Sequence, residues 1–235
     1  CLVTGLRTGH ARVRNNGGGG LEAGDVTIAD RLHEAGYATA IVGKWGLGTA
    51  GTPSGAEHHG FDEFFGYRTQ TEAHYYYHKS LWRNDVEVPF PANAGGKRGA
   101  YTHDLFIDEA LGFVRRHRDE PFFLYLPLTI PHAEVLVPDD SLAEYAGRWP
   151  EVPFDGKSGG YAAQPQPRAA RAAMITRMDR DVGRLLDLVD ELQLADRTLV
   201  IFASDNGPIT AGGQDPEFFN SAGPLRGLKF SFYEG

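Results

Sequence analysis

The sequence has a single cysteine, Cys1, among 235 residues, which excludes an internal disulfide framework and leaves the redox compartment unread. It has no uninterrupted run of about 18 apolar residues, the length a membrane-spanning helix needs. Positive charge is in short supply. With 23 Lys and Arg against 31 Asp and Glu, the net charge is -8. Nucleic acid is therefore not the expected main partner, because phosphate contacts need clustered cations. There is no internal repeat, no long low-complexity segment and no visible signal peptide. The chain also lacks an initiating Met and opens on "CLVTG", inside what reads as a motif. A preceding segment is expected, so export stays open.

What remains is ordinary globular composition, 41% hydrophobic and 23% charged. This length suits one large α/β domain. The stretch "NNGGGG", residues 15–20, reads as a loop. Asp25 is placed to cap a helix with apolar positions Ile28, Ala29 and Leu32, closed by Gly36. "ATAIVGKW" comes next as a buried strand. Residues 49–100 look irregular, and a loop of that length is usually functional or poorly ordered. Thr102 is placed to cap a second helix through about Arg116, and "PFFLYLPL" reads as a strand. Residues 139–168 form another Pro/Gly-rich excursion. The best helix is "RAAMITRMDRDVGRLLDLVDELQL", with Ile175, Met178, Val182, Leu185, Leu186 and Val189 on one stripe. "RTLVIFASDNGP" completes the pattern as a buried strand. Repeated helix, strand and loop predict an α/β fold, a mostly parallel open sheet with helices on both faces. Ligands of such sheets sit beyond the carboxyl ends of the strands.

Three of the expected strands end in reactive residues: Lys44, then His132, then Asp205 with Asn206. "GPLRGLKFSFYEG" adds Arg226 and Lys229. Asp205 and the amide oxygen of Asn206 are hard donors suited to Ca²⁺ or Mg²⁺. Two lysines and a histidine beside them suit a tetrahedral oxyanion such as sulfate or phosphate. Each residue also has a structural role open to it. An Asp-Asn pair before Gly-Pro makes a turn. A histidine after proline makes loop hydrogen bonds, and a strand-end lysine snorkels. His58, His59, His74 and His78 match no zinc spacing and have no partner cysteine. The segment 69–83, with His74, Tyr75, Tyr76, Trp82 and Arg83, is the candidate pocket lining, and a purely structural role for it is equally open.

The motifs "TGLRTGHARVRNN", "GYATAIVGKWGLG", "GFDEFFGY", "PHAE", "MITRMDRDVGRLLD", "LVIFASDNGP" and "GPLRGLKFSFYEG" occur in this order, and together they resemble the sulfatases of arylsulfatase type, in the alkaline phosphatase superfamily. The resemblance covers nearly the whole chain. It implies a sulfuric ester hydrolase, with residues 1–235 a partial catalytic domain truncated at both ends. The family nucleophile is a formylglycine made from a Cys or Ser in a C/S-x-P-S-R segment. "LVTG" aligns with the family residues just past that segment, so Cys1 falls about six residues beyond the nucleophile and is not it. The fragment alone is then expected to be inactive. The resemblance further implies that Asp205 and Asn206 complete a site for Ca²⁺, in preference to Mg²⁺. It implies that Lys44 contacts the formylglycine and the sulfate, and that His132 and Lys229 bind sulfate and assist the leaving oxygen. Many relatives carry His where this chain has Gly46, and His74 is the candidate replacement. The implied partners are a sulfated small molecule or carbohydrate and the formylglycine-generating enzyme, in a periplasmic or extracellular setting. A phosphonate or phosphate ester hydrolase of the same superfamily is the enzymatic alternative. A non-catalytic Ca²⁺- or anion-binding remnant is the other.

Overall fold

The run Ala38–Lys44 forms strand β1, with Ala40 and Ile41 fully buried. It is apolar on both faces because both faces are covered. In the computed structural model, which describes residues 1–16, 19–48 and 51–233, β1 has a parallel neighbour on each side. These are β2 (Glu63–Tyr67), with Ile41 opposite Phe64, and β5 (Phe122–Tyr125), with Ala40 opposite Leu124. An antiparallel hairpin, β3 (Ser80–Arg83) and β4 (Val86–Pro89), adds to β2, giving the order β4-β3-β2-β1-β5. Its turn uses Asn84 at φ 47°, a left-handed conformation Asn tolerates, and the Asn84 Oδ1 accepts from the Phe64 N–H at 2.7 Å. The sheet is open and mixed, with the parallel strands β2, β1 and β5 on one side and the antiparallel hairpin on the other. Residues 49–100 therefore carry three of the five strands rather than being irregular throughout. Their short length and interrupting Gly, His and Asn residues hide them from periodicity.

Helices cover both faces of this sheet. Helix α1 (Ile28–Glu34) buries Ala29 in a cluster with Ile41, Trp45, Phe61 and Phe64. Helix α2 (Thr102–Arg116) buries Phe106 in a cluster on the other side with Val42, Phe65, Tyr67 and Leu81. Neither helix is capped as the sequence predicts. For α1 the N-cap is Thr27, whose hydroxyl accepts from the Asp30 N–H at 3.1 Å while the Asp30 carboxylate accepts from the Thr27 N–H at 2.7 Å. This reciprocal box satisfies two free donors and outcompetes Asp25, which holds Arg12 and the Glu22 N–H instead. For α2 the N-cap is Tyr101, without a side-chain cap. The Thr102 hydroxyl is buried, donating to the Tyr76 carbonyl at 3.0 Å and accepting from the Tyr67 hydroxyl at 2.6 Å.

These elements form one compact unit, Cys1–Thr129, and the rest form a second, Ile130–Gly235. The second unit holds the short helix α3 (Asp139–Ala143) and the long helix α4 (Pro167–Glu191). The buried side of α4 is Ala169, Ala170, Ala173, Met174 and Leu188, not the predicted stripe, from which Ile175 and Leu186 are exposed. Small alanines allow the close approach, and the branched stripe lies off that face. The expected last strand is also absent from the described residues. Leu199 is 84% exposed, Ile201 79% and Phe202 72%. Among the described residues no backbone partner forms a ladder with this run, and a strand needs one. The middle of the 15–20 glycine stretch, Thr49 at the head of the irregular segment, and the last two residues of the final motif lie outside the described residues.

Candidate functional site

Lys44 ends β1 and is half-buried. Its N–H donates to the Pro127 carbonyl at 3.0 Å. The pairing with β2 continues past the strand: the Trp45 N–H donates to the Tyr67 carbonyl at 2.9 Å and the Gly46 N–H to the Arg68 carbonyl at 3.1 Å. Gly46 sits at φ +70°, a conformation that favours glycine, and its carbonyl accepts from the Gln70 amide at 3.4 Å. A Cβ on Gly46 would lie 2.7 Å from Gln70 Nε2 and 3.4 Å from Lys44 Cε. The Gln70 carboxamide therefore fills the space that a side chain at residue 46 would use. Sequence reasoning missed Gln70 because nothing local links positions 46 and 70. Only the β1–β2 pairing does.

His74 ends a 3₁₀ turn, Glu72–His74, and is half-buried. The Glu72 carboxylate fixes the start of this segment by accepting from the Arg68 N–H at 3.1 Å and the Thr69 N–H at 2.9 Å. Part of the expected aromatic lining is structural. Tyr76 is fully buried, its hydroxyl bound to the Thr129 carbonyl at 3.1 Å. Trp82 lies under the buried Arg68 guanidinium at 5.1 Å. Arg83 pairs with Glu109 at 2.5 Å. Tyr75 remains 40% exposed. A surface cleft of ≈ 430 Å³ in this unit, lined by residues including Ala23, Pro53 and His58, contains none of the candidate residues.

In the second unit, His132 and Lys229 meet, with Lys229 Nζ 3.1 Å from His132 Nε2. His132 Nδ1 lies 2.8 Å from the Ala133 carbonyl. A carbonyl only accepts, so Nδ1 carries the hydrogen and Nε2 presents its lone pair to the lysine. Lys229 is tied by its N–H to the Pro208 carbonyl at 2.9 Å, two residues past the Asp205-Asn206 pair. Asp205 and Asn206 are exposed, and the Asn206 side chain donates to the Gly207 carbonyl at 2.9 Å. That bond uses the Asn206 nitrogen and leaves its amide oxygen as a donor atom for a cation.

Among the described residues no group of three or more His, Cys, Asp or Glu side chains is placed to hold a metal. Calcium takes six to eight oxygens. Asp205 and Asn206 fit such an ion by donor type and would supply two side chains of its shell. Cys1 is exposed, its sulfur 3.3 Å from the Thr8 hydroxyl. Among the described residues no helix is long and apolar enough to cross a membrane.

An open sheet with helices on both faces, one of whose strands ends in the candidate Lys44, defines an α/β protein. Solved structures narrow this. One is a protein reported with glycosaminoglycan metabolism by Bacteroides thetaiotaomicron, at 24% identity, TM-score 0.66, covering 91% of this chain and 53% of that one. Another is Ps i-CgsB in complex with a neocarrahexaose, at 25% identity, TM-score 0.69, covering 100% and 49%. The family model described as Sulfatase matches residues 1–235, and the chain belongs to the sulfatase family. Similar relatives include the N-acetylgalactosamine-6-O-sulfatase of Bacteroides thetaiotaomicron, 29% identical over 91% of this chain and 50% of that protein. The human N-acetylgalactosamine-6-sulfatase is 30% identical over 92% and 39%. The chain thus spans half or less of the length of these relatives.

Proposed function

We propose that this chain is part of the catalytic domain of a sulfuric ester hydrolase acting on a sulfated carbohydrate or a smaller sulfate monoester. Support comes first from the family match along all of it, and from two relatives whose names specify a sulfated sugar. The observation that carries the reaction is the contact of Lys229 with His132. A lysine N–H that donates to the imidazole Nε2 places a transferable proton where it can pass to an alkoxide as the ester bond breaks. Lys229 and His132 offset the charge of the sulfate oxygens. Lys44 is assigned, by the family resemblance alone, a contact with the formylglycine and the sulfate. His74 is assigned a supporting contact with the substrate.

Asp205 and Asn206 would hold part of the shell of a Ca²⁺ ion, which would supply Lewis-acid chemistry toward the ester. The nucleophile assigned to the whole protein is a formylglycine, which makes the formylglycine-generating enzyme a partner. A periplasmic or extracellular setting accompanies this chemistry. Cys1 takes no part in this chemistry. In the full-length protein, Lys229→Ala lowers kcat/KM for an aryl sulfate by about 10²- to 10³-fold, the scale of losing one charge-stabilising donor. Cys1→Ser leaves it unchanged. An unaltered kcat/KM in Lys229→Ala overturns the assignment.

A further inference from the structure

Arg171 is a cation buried without a carboxylate. It is 8% exposed on the covered side of α4, and among the described residues no acid pairs with it. Burial lowers the pKa of its guanidinium from the ordinary value. Leaving a charge so placed is costly, and its neutral partners matter accordingly. Its Nη1 donates to the Gln214 Oε1, and its Nη2 lies 3.4 Å from the Ser221 hydroxyl. Gln214 is 6% exposed. With its oxygen held by the arginine, its amide nitrogen points the other way and donates to the Pro131 carbonyl at 3.1 Å. Pro131 directly precedes His132. The turn before Gln214 closes on the same stretch: a Cβ on Gly212 would lie 3.1 Å from the Ala133 Cβ.

We infer that Arg171, acting through Gln214, is a positioning residue for His132, fixing the peptide that aims the imidazole Nε2 at Lys229. The role in catalysis rests on the proposed sulfatase chemistry; the positioning itself does not. Gln214 is suited to this work because its carboxamide accepts at one end and donates at the other. A carboxylate there would satisfy the arginine and lose the donation to Pro131. A methionine of similar length would lose both bonds.

The test uses ¹⁵N-histidine spectra of this chain, with the His132 signals identified by His132→Gln. The wild type shows the Nδ1-protonated tautomer at neutral pH. In Gln214→Met that tautomer gives way to a mixture. Arg171→Met does the same and Arg171→Lys, which keeps the charge and one donor, recovers most of it. If Gln214→Met fails to fold, Gln214→Asn carries the test, since it is too short to span from Arg171 to Pro131. In the full-length enzyme the same variants lower kcat for an aryl sulfate by about 10-fold with KM little changed, as loss of an outer-shell support does. An unchanged His132 tautomer in folded Gln214→Met or Gln214→Asn overturns the inference, whatever the enzyme hydrolyses. A full-length wild type inert toward sulfate esters overturns the function and leaves the tautomer result standing.

Discussion

The runs 38–44 and 199–205 are built alike, each a short apolar segment ending in a candidate site residue. The first lies between two parallel neighbours, and its Ile41 is fully buried. The second has no ladder among the described residues, and its Ile201 is 79% exposed. Composition does not separate them. What differs is whether hydrogen-bonding partners flank the backbone, and burial of the side chains depends on that. Lys44 is accordingly held on both sides by main-chain bonds. Asp205 and Asn206 stand on an unpaired segment, steadied by local bonds such as that from the Ser204 hydroxyl to the Asn206 carbonyl at 2.7 Å.

The contrast breaks most sharply at Gly66. A Cβ there would lie 1.7 Å from the Gly43 carbonyl oxygen, so Gly66→Ala forces β1 and β2 apart. A loss above about 4 kcal/mol is expected by urea denaturation, the range of severe core disruption. Ile41→Ala, which opens a cavity in the core between β1 and α1, costs about 2 to 5 kcal/mol.

Acid loosens the first unit by a gentler route. A hydrogen bond from Arg83 holds the Glu109 carboxyl below the usual carboxylate range. Because its folded pKa is depressed, the stability it adds is present above the unfolded value of about 4.3 and is lost as pH falls through the folded pKa. Glu109→Gln removes this acid sensitivity of α2 and the sheet under it, measured as unfolding midpoints between pH 6 and pH 3. The smallest effect belongs to the second run, where Ile201→Ala stays within about 0.5 kcal/mol of the parent. A cost there equal to that of Ile41→Ala breaks the comparison.

Much of the α/β plan is legible in the sequence. "ATAIVGKW" is largely apolar, and it becomes β1, the middle of the three parallel strands. The two long helices appear near their expected bounds. The caps are not legible, because Thr27 wins by a reciprocal bond with Asp30 that a preference for Asp alone does not reveal. The β3–β4 hairpin is hidden because four-residue strands carry too little alternation. At the site, the meeting of His132 and Lys229 joins residues 97 positions apart; the sequence groups them by chemistry as oxyanion-binding residues, but no local pattern gives their direct contact. The Gln70 contact with Gly46, and the Arg171 bond to Gln214 behind His132, leave no local trace.

The most direct measurement is the turnover of an aryl sulfate and the matching aryl phosphate by the full-length protein, side by side with its Lys229→Ala variant. A sulfatase built on these residues hydrolyses the sulfate, prefers it to the phosphate and loses most of that rate without Lys229. Turnover of the phosphate with none of the sulfate contradicts the account.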